Sequence, residues 1–108
     1  MSAMTNRLYV RTTLTVPGAG TAIHIAQLRE MDVDSCKMEK LIALAPNDAI
    51  VGAAAGDAVE GDIDKPKRRV PHPNTYDQFD DIDAEYLTED EFQSLWAEAQ
   101  AKYPRLKD

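Results

Sequence analysis

The chain has 108 residues, with 19 Asp and Glu against 12 Lys and Arg, a net charge of −7 and a single cysteine. That length allows one domain with one modest core, and a hydrophobic share of 44% excludes a chain disordered throughout. No apolar run approaches the roughly 20 residues of a membrane span, so no membrane partner is expected.

The opening "MSAMTNR" lacks the apolar core of a signal segment, and residues 1–6 are expected to be a flexible lead-in. A lone Cys36 has no partner for an internal disulfide and fits a reducing compartment, so the expected location is cytoplasmic. "RLYVRTTLTV" then alternates: Leu8, Val10, Thr12, Leu14 and Val16 point one way, Tyr9, Arg11, Thr13 and Thr15 the other. That is a strand, closed by Pro17–Gly20. "TAIHIAQLRE" is a second strand, with Ile23 and Ile25 on one face and His24, Ala26 and Leu28 on the other, ended by "MDVDS". "CKMEKLIAL" reads as a third, with Cys36, Met38, Ile42 and Leu44 in phase and Lys40 as the exception, although its composition also suits a helix. Pro46-Asn47-Asp48 turns it into "AIVGAAA", as a hairpin would.

Residues 56–74 hold two glycines, three prolines and mixed charge, the composition of a long connector. Tyr76, Phe79 and Ile82 follow at spacing three, which suggests one helical turn docked on the sheet. The last element spans 88–103. Thr88 and Glu91 form a T-x-x-E capping box, with Leu87 and Phe92 at the positions of a hydrophobic staple. Phe92, Leu95, Trp96, Ala99 and Tyr103 share one helix face, and Pro104 stops the helix. The expected fold is α+β: a single domain over 1–108, with an antiparallel sheet of about four strands and the C-terminal helix packed on it.

Charge is uneven along the chain. Residues 1–69 carry nine acids and nine bases, so the ten acids and three bases from Val70 onward account for the whole net charge. Such a surface suits a basic protein and not nucleic acid, whose phosphates need Lys and Arg. Glu89, Asp90 and Glu91 are explained by the positive end of the helix dipole. Asp77, Asp80, Asp81, Asp83 and Glu85 lie before the cap, beyond the reach of that dipole, and repel one another. A solvated approach to the helix explains them, and so does a surface that meets a basic partner. The acids lack the D-x-[DN]-x-[DN]-G spacing of a calcium loop, so no metal is expected. Cys36 falls inside a strand, and spacing ties neither His24 nor His72 to it. Glycine turns at "PGAG" and "GAAAG" have no phosphate-loop pattern, so no cofactor is expected.

The pieces "LYVRTTL", "LREMDVDSCKMEKLIAL" and "VPHPNTYDQFDDIDAEYLTEDEFQSLWAEA" together resemble a small acidic bacterial domain-of-unknown-function family. That family opens with a Y-[IV]-[RK]-V strand and passes through an E-x-D turn into an R-K-[VM]-E-x-[FI] strand. It ends in an acidic connector and an E-x-F-x-x-x-W-x-x-A helix. Glu91, Phe92, Trp96 and Ala99 carry the helix part, and Cys36 stands where the family has arginine. Small acidic proteins of this look resemble immunity proteins that block bacterial toxins, which implies a binding role and no catalytic residue.

The leading expectation is therefore a non-catalytic, immunity-type inhibitor of a basic toxin or nuclease domain. Asp77, Asp80, Asp81, Asp83 and Glu85 would steer the partner, and Tyr76, Phe79 and Tyr86 would anchor it. The alternative is a structural or regulatory accessory subunit, such as a phage or operon protein, that self-associates through its sheet. A small enzyme is the third reading.

Overall fold

The structure, a computed structural model, describes residues 7–18, 20–61, 63, 69–78 and 82–106. The expected lead-in lies outside these. Five strands come first: β1 (Arg7–Val16), β2 (Gly20–Glu30), β3 (Ser35–Leu44), β4 (Ile50–Ala55) and β5 (Ala58–Gly61). Then come β6 (Val70–Pro71), a 3-10 helix (Pro73–Gln78), β7 (Ile82–Leu87) and α1 (Glu89–Lys102). They build one antiparallel sheet in the order β5-β4-β3-β2-β1-β7, and β6 pairs with the start of β3.

The α+β architecture with a C-terminal helix is as expected, but among the described residues the sheet has seven strands and not about four. The additional strands are the short ones. β5 and β6 lie inside the expected connector 56–74, and β7 runs through the acid stretch. β6 is two residues long and holds Pro71; it exists because Ser35 pairs with Pro71 and Cys36 with Val70. Proline is tolerated at such an edge position.

The two faces of the sheet divide the apolar side chains. Tyr9, Ile23, Ile25, Ile42, Leu44 and Ala53 face α1, where Phe92, Trp96 and Ala99 meet them. Val10, Ala26, Leu28, Cys36, Leu41 and Val70 cluster on the other side. Strand alternation alone cannot place Cys36 and Met38 on one face and Ile42 and Leu44 on the other. A β-bulge does so: Gln27 pairs with Lys40 but Leu28 with Met38, leaving Glu39 as an extra residue. Cys36, Met38, Ile42 and Leu44 are therefore not in phase as a set, and Lys40 is no exception. Lys40 lies on the helix face, its Nζ 4.8 Å from the centre of the Trp96 ring.

α1 forms as its caps dictate. Thr88 Oγ1 accepts from the Glu91 N–H at 3.1 Å, and Glu91 Oε1 accepts from the Thr88 N–H at 2.8 Å. Leu87 packs into the same cluster as Phe92, completing the staple. The Phe92 ring lies 5.1 Å from Tyr9 and 6.1 Å from Trp96, centre to centre. At the far end the Tyr103 N–H donates to the Ala99 carbonyl, and Lys102 Nζ donates to the Ile50 carbonyl of β4. Gly61 makes room for that end. Its φ is +79°, and a Cβ there would stand 2.5 Å from the Val51 carbonyl oxygen and 2.7 Å from the Tyr103 hydroxyl.

Trp96 is 1% exposed, so Trp96→Ala should lower unfolding free energy by about 3–5 kcal/mol. Thr88→Ala, which removes one half of the capping box, should cost about 0.5–2 kcal/mol. Urea melts of the two variants test both; a Trp96→Ala protein as stable as the parent would mean that α1 does not hold the sheet.

Candidate functional site

β7 is an edge strand. It pairs on one side with β1, Tyr9 with Leu87 through Leu14 with Ile82, and it ends the strand order. The register decides where each acid points. Asp83 pairs with Thr13 and Glu85 with Arg11, so both carboxylates lie on the helix face. Ile82 pairs with Leu14 and Tyr86 with Val10, which puts both on the opposite face. The acids and Tyr86 interleave in sequence, and strand alternation sends them to opposite sides of the sheet.

Asp83, Glu85 and Tyr86 are exposed, and the acidic first turn of α1, Glu89, Asp90 and Glu91, follows directly and is exposed as well. No base interrupts this run in the sequence, but the fold sets Arg11 across from Glu85. Arg11 Nη2 turns instead to Asp48 Oδ1, 3.0 Å away at the turn between β3 and β4. Tyr76 is half-buried on the 3-10 helix and lines a cavity on the second face of the sheet. Burial first, then Cys36 and Tyr86 nearby, push its phenol up, so it stays protonated. Asp77 lies on that 3-10 helix, whereas Phe79, Asp80 and Asp81 lie outside the described residues. Of the sequence-expected contact residues, the fold thus places Asp83, Glu85 and Tyr86 on one strand, and Tyr76 on the neighbouring 3-10 helix, where it shares a cavity with Ile82.

A second polar cluster was not legible from spacing. His72 is buried, and its Nε2 stands 2.7 Å from Glu30 Oε2. Nδ1 accepts from the Asn74 N–H at 3.1 Å, which leaves Nε2 as the donor to Glu30. The His72 backbone is held too: its N–H donates to the Asp34 carbonyl, and its own carbonyl accepts from the Thr75 N–H and hydroxyl. Asp32 organises the adjoining turn by accepting from the Asp34 N–H and the Ser35 hydroxyl, both at 2.9 Å. Those bonds hold its carboxyl below the usual range. Of the basic stretch "KPKRR", Arg69 is described and reaches Asp32 Oδ2 at 3.3 Å.

Cys36 pairs with Glu30 in the sheet and is fully buried. Burial, then Glu30 and Asp32, push its thiol up. A thiol held protonated is a poor nucleophile, and His72 is committed at both ring nitrogens, so this cluster fastens β6 and the 3-10 helix to β2 and β3. Among the described residues no group of three or more His, Cys, Asp and Glu is placed to hold a metal ion, and no helix is long and apolar enough to cross a membrane.

The site is thus that of an α+β domain with an acidic, half-paired edge strand. Comparisons with protein-family models, with curated proteins and with solved structures give no match.

A thiol reagent should label Cys36 slowly in the native protein and fast in denaturant. The native rate should stay low as pH rises through the ordinary thiol range near 8.5, because the folded thiol ionises above its usual value. Rapid native labelling at neutral pH would show an accessible thiolate and remove the packing role.

Proposed function

We propose that this chain is a non-catalytic binding protein, of the kind that blocks a basic toxin or nuclease domain, and that β7 is its docking edge. The observation that carries the reading is the division of β7: acids on one face, Tyr86 and Ile82 on the other, on a strand whose outer side pairs with no other strand among the described residues. Only a partner that approaches edge-on touches both sets. An added strand does this by main-chain hydrogen bonds, while its alternate side chains meet the two faces. The chemistry of that strand follows: basic residues at the positions beside Asp83 and Glu85, and apolar residues beside Ile82 and Tyr86.

The charges speed encounter and set the register, since an exposed ion pair contributes only about 0–1 kcal/mol. Tyr86, 55% exposed, is the side chain whose burial would supply affinity. Charge also bears on the accessory-subunit alternative. Two copies pairing β7 to β7 with both helices on one side would set Asp83 against Glu85 or Glu85 against itself. Like charges directly opposite are unfavourable, and charged edges are a known guard against such pairing. That favours a basic strand over a second copy. A non-catalytic role is supported by the protonated state of the buried Cys36 thiol and by the two hydrogen bonds that occupy the His72 ring.

A labelled peptide that alternates lysine with valine should bind the protein, and the same peptide with glutamate for lysine should not. Asp83→Lys together with Glu85→Lys should weaken binding at least tenfold and flatten its salt dependence, because screening shortens from about 10 Å at 0.1 M to about 3 Å at 1 M. Tyr86→Ala should raise the off-rate, and Glu98→Lys, on the exposed side of α1, should change little. Equal binding by the double-lysine variant, with an unchanged salt response, would sink the proposal. In an immunity role, the gene should also sit beside that of a basic toxin.

A further inference from the structure

On the face of the sheet away from α1 lies a cavity of about 420 Å³, within the roughly 300–1,000 Å³ typical of small-molecule sites. Its floor is made by Val10, Ala26, Leu28 and Leu41 on β1, β2 and β3, and Val70 and Tyr76 wall it from β6 and the 3-10 helix. It is a space between two layers, and the contacts of His72 and Arg69 described above hold the upper layer in place.

We propose that this cavity binds an uncharged, mainly apolar small molecule carrying one hydrogen-bonding group, of the size of a medium-chain alcohol, ester or lactone. Three observations select that class. None of the described lining residues is Asp, Glu, Lys or Arg, so an ion entering the cavity would lose its hydration without a counter-charge. Most of the lining is aliphatic, with Leu14, Met38, Ile63, Pro71 and Ile82 completing the walls, so water in the cavity finds few partners.

The polar atoms are few. Thr12 and His24 are neighbours in the register of β1 and β2, and Tyr76 stands on the upper layer. The Thr12 hydroxyl donates to the His24 carbonyl at 3.4 Å, which leaves its oxygen able to accept. The Tyr76 phenol, kept protonated by its burial, is able to donate. A ligand hydroxyl can meet both groups, donating to Thr12 and accepting from Tyr76, and a ligand carbonyl can accept from Tyr76, while an aliphatic tail fills the space over Val10, Ala26 and Leu28. The cavity shares Ile82 with the apolar side of the docking edge, whereas Asp83 and Glu85 lie on the other face of β7.

The test is calorimetric titration of the full chain with 1-octanol and with octanoate at pH 8, where an ordinary imidazole is neutral. The alcohol should bind saturably at one site, and the carboxylate, of equal chain length, at least tenfold more weakly. Ala26→Phe, which fills the floor, should reduce octanol binding at least tenfold without lowering the melting temperature. If that variant does not fold, Leu14→Trp, at a half-buried wall position paired with Ile82, provides the same comparison. Octanol that fails to saturate, octanoate that binds equally well, or a folded, filled variant that binds octanol like the parent would each overturn the proposal.

Discussion

The extra residue in β3 decides what each face of this sheet presents. Glu39 enters on the helix side, next to Lys40, and from that point the alternation of β3 reverses. Without it, Ile42 and Leu44 would share a face with Cys36 and Met38, and α1 would pack against a sheet lacking two of its central apolar side chains. The bulge is held by charge. The Glu39 carboxylate, 16% exposed, accepts from Arg7 Nε at 3.1 Å and Gln27 Nε2 at 2.9 Å on one oxygen, and from Arg29 Nη2 at 2.9 Å on the other. Charge-assisted bonds of this number satisfy a carboxylate that would otherwise be costly to bury. They also tie the extra residue to β1 and β2, so a slip of β3 by one residue would break all three bonds as well as exposing its core face.

From this reversal follow the two surfaces of the molecule. Toward α1, the row Ile25, Ile42 and Ala53 runs straight across β2, β3 and β4, and with Tyr9, two residues along β1 from the partner of Ile25, it meets Phe92, Trp96 and Ala99. Away from α1, Cys36 and Met38 join Val10, Leu28 and Leu41 beneath β6 and the 3-10 helix. A chain of this size has little core to share between two layers. α1, with two large aromatic side chains buried and both ends capped, closes one face tightly. The other face is covered by a two-residue strand and a short 3-10 turn, secured by hydrogen bonds at His72 and Asp32 more than by area. A cavity is left on that side because short, polar-fastened elements carry too few large side chains to fill it.

The long strands and the helix were legible in the sequence because their information is local. β1 and β2 alternate over about ten residues, the turn at Pro46-Asn47-Asp48 marks a hairpin, and the capping box and staple define the start of α1 within a single turn. What escaped is non-local. β6 is a strand only through Ser35 and Cys36, far behind it in the chain. His72 finds Glu30 across 42 residues, a contact that no spacing rule encodes. Glu39 left a trace, the out-of-phase Lys40, which reads as an exception unless an inserted residue is considered. β7 was hidden for a different reason. Its alternation, Ile82-Ala84-Tyr86 against Asp83-Glu85, is present, but carboxylates are depleted in strands and suggested solvated coil. At an edge that objection fails, because one side of the strand faces water and charge there is an advantage.

That same placement changes what the acid stretch can do. As a solvated approach to the helix it would present carboxylates in every direction, and any basic surface would satisfy it. As an edge strand it presents Asp83 and Glu85 at a fixed two-residue repeat on one side and Tyr86 on the other, with a main chain able to continue the sheet between them. Steering by net charge discriminates poorly among basic partners. Backbone pairing adds the requirement that the partner offer an extended segment, and the split faces add the requirement that its basic and apolar residues alternate. Helix α1 then follows the strand after a single cap residue, so Glu89, Asp90 and Glu91 extend the negative field beyond the end of β7 without adding to the register. In the proposed binding role, long-range attraction and short-range recognition would come from adjoining stretches of chain, the capped helix start contributing the first and the edge strand the second.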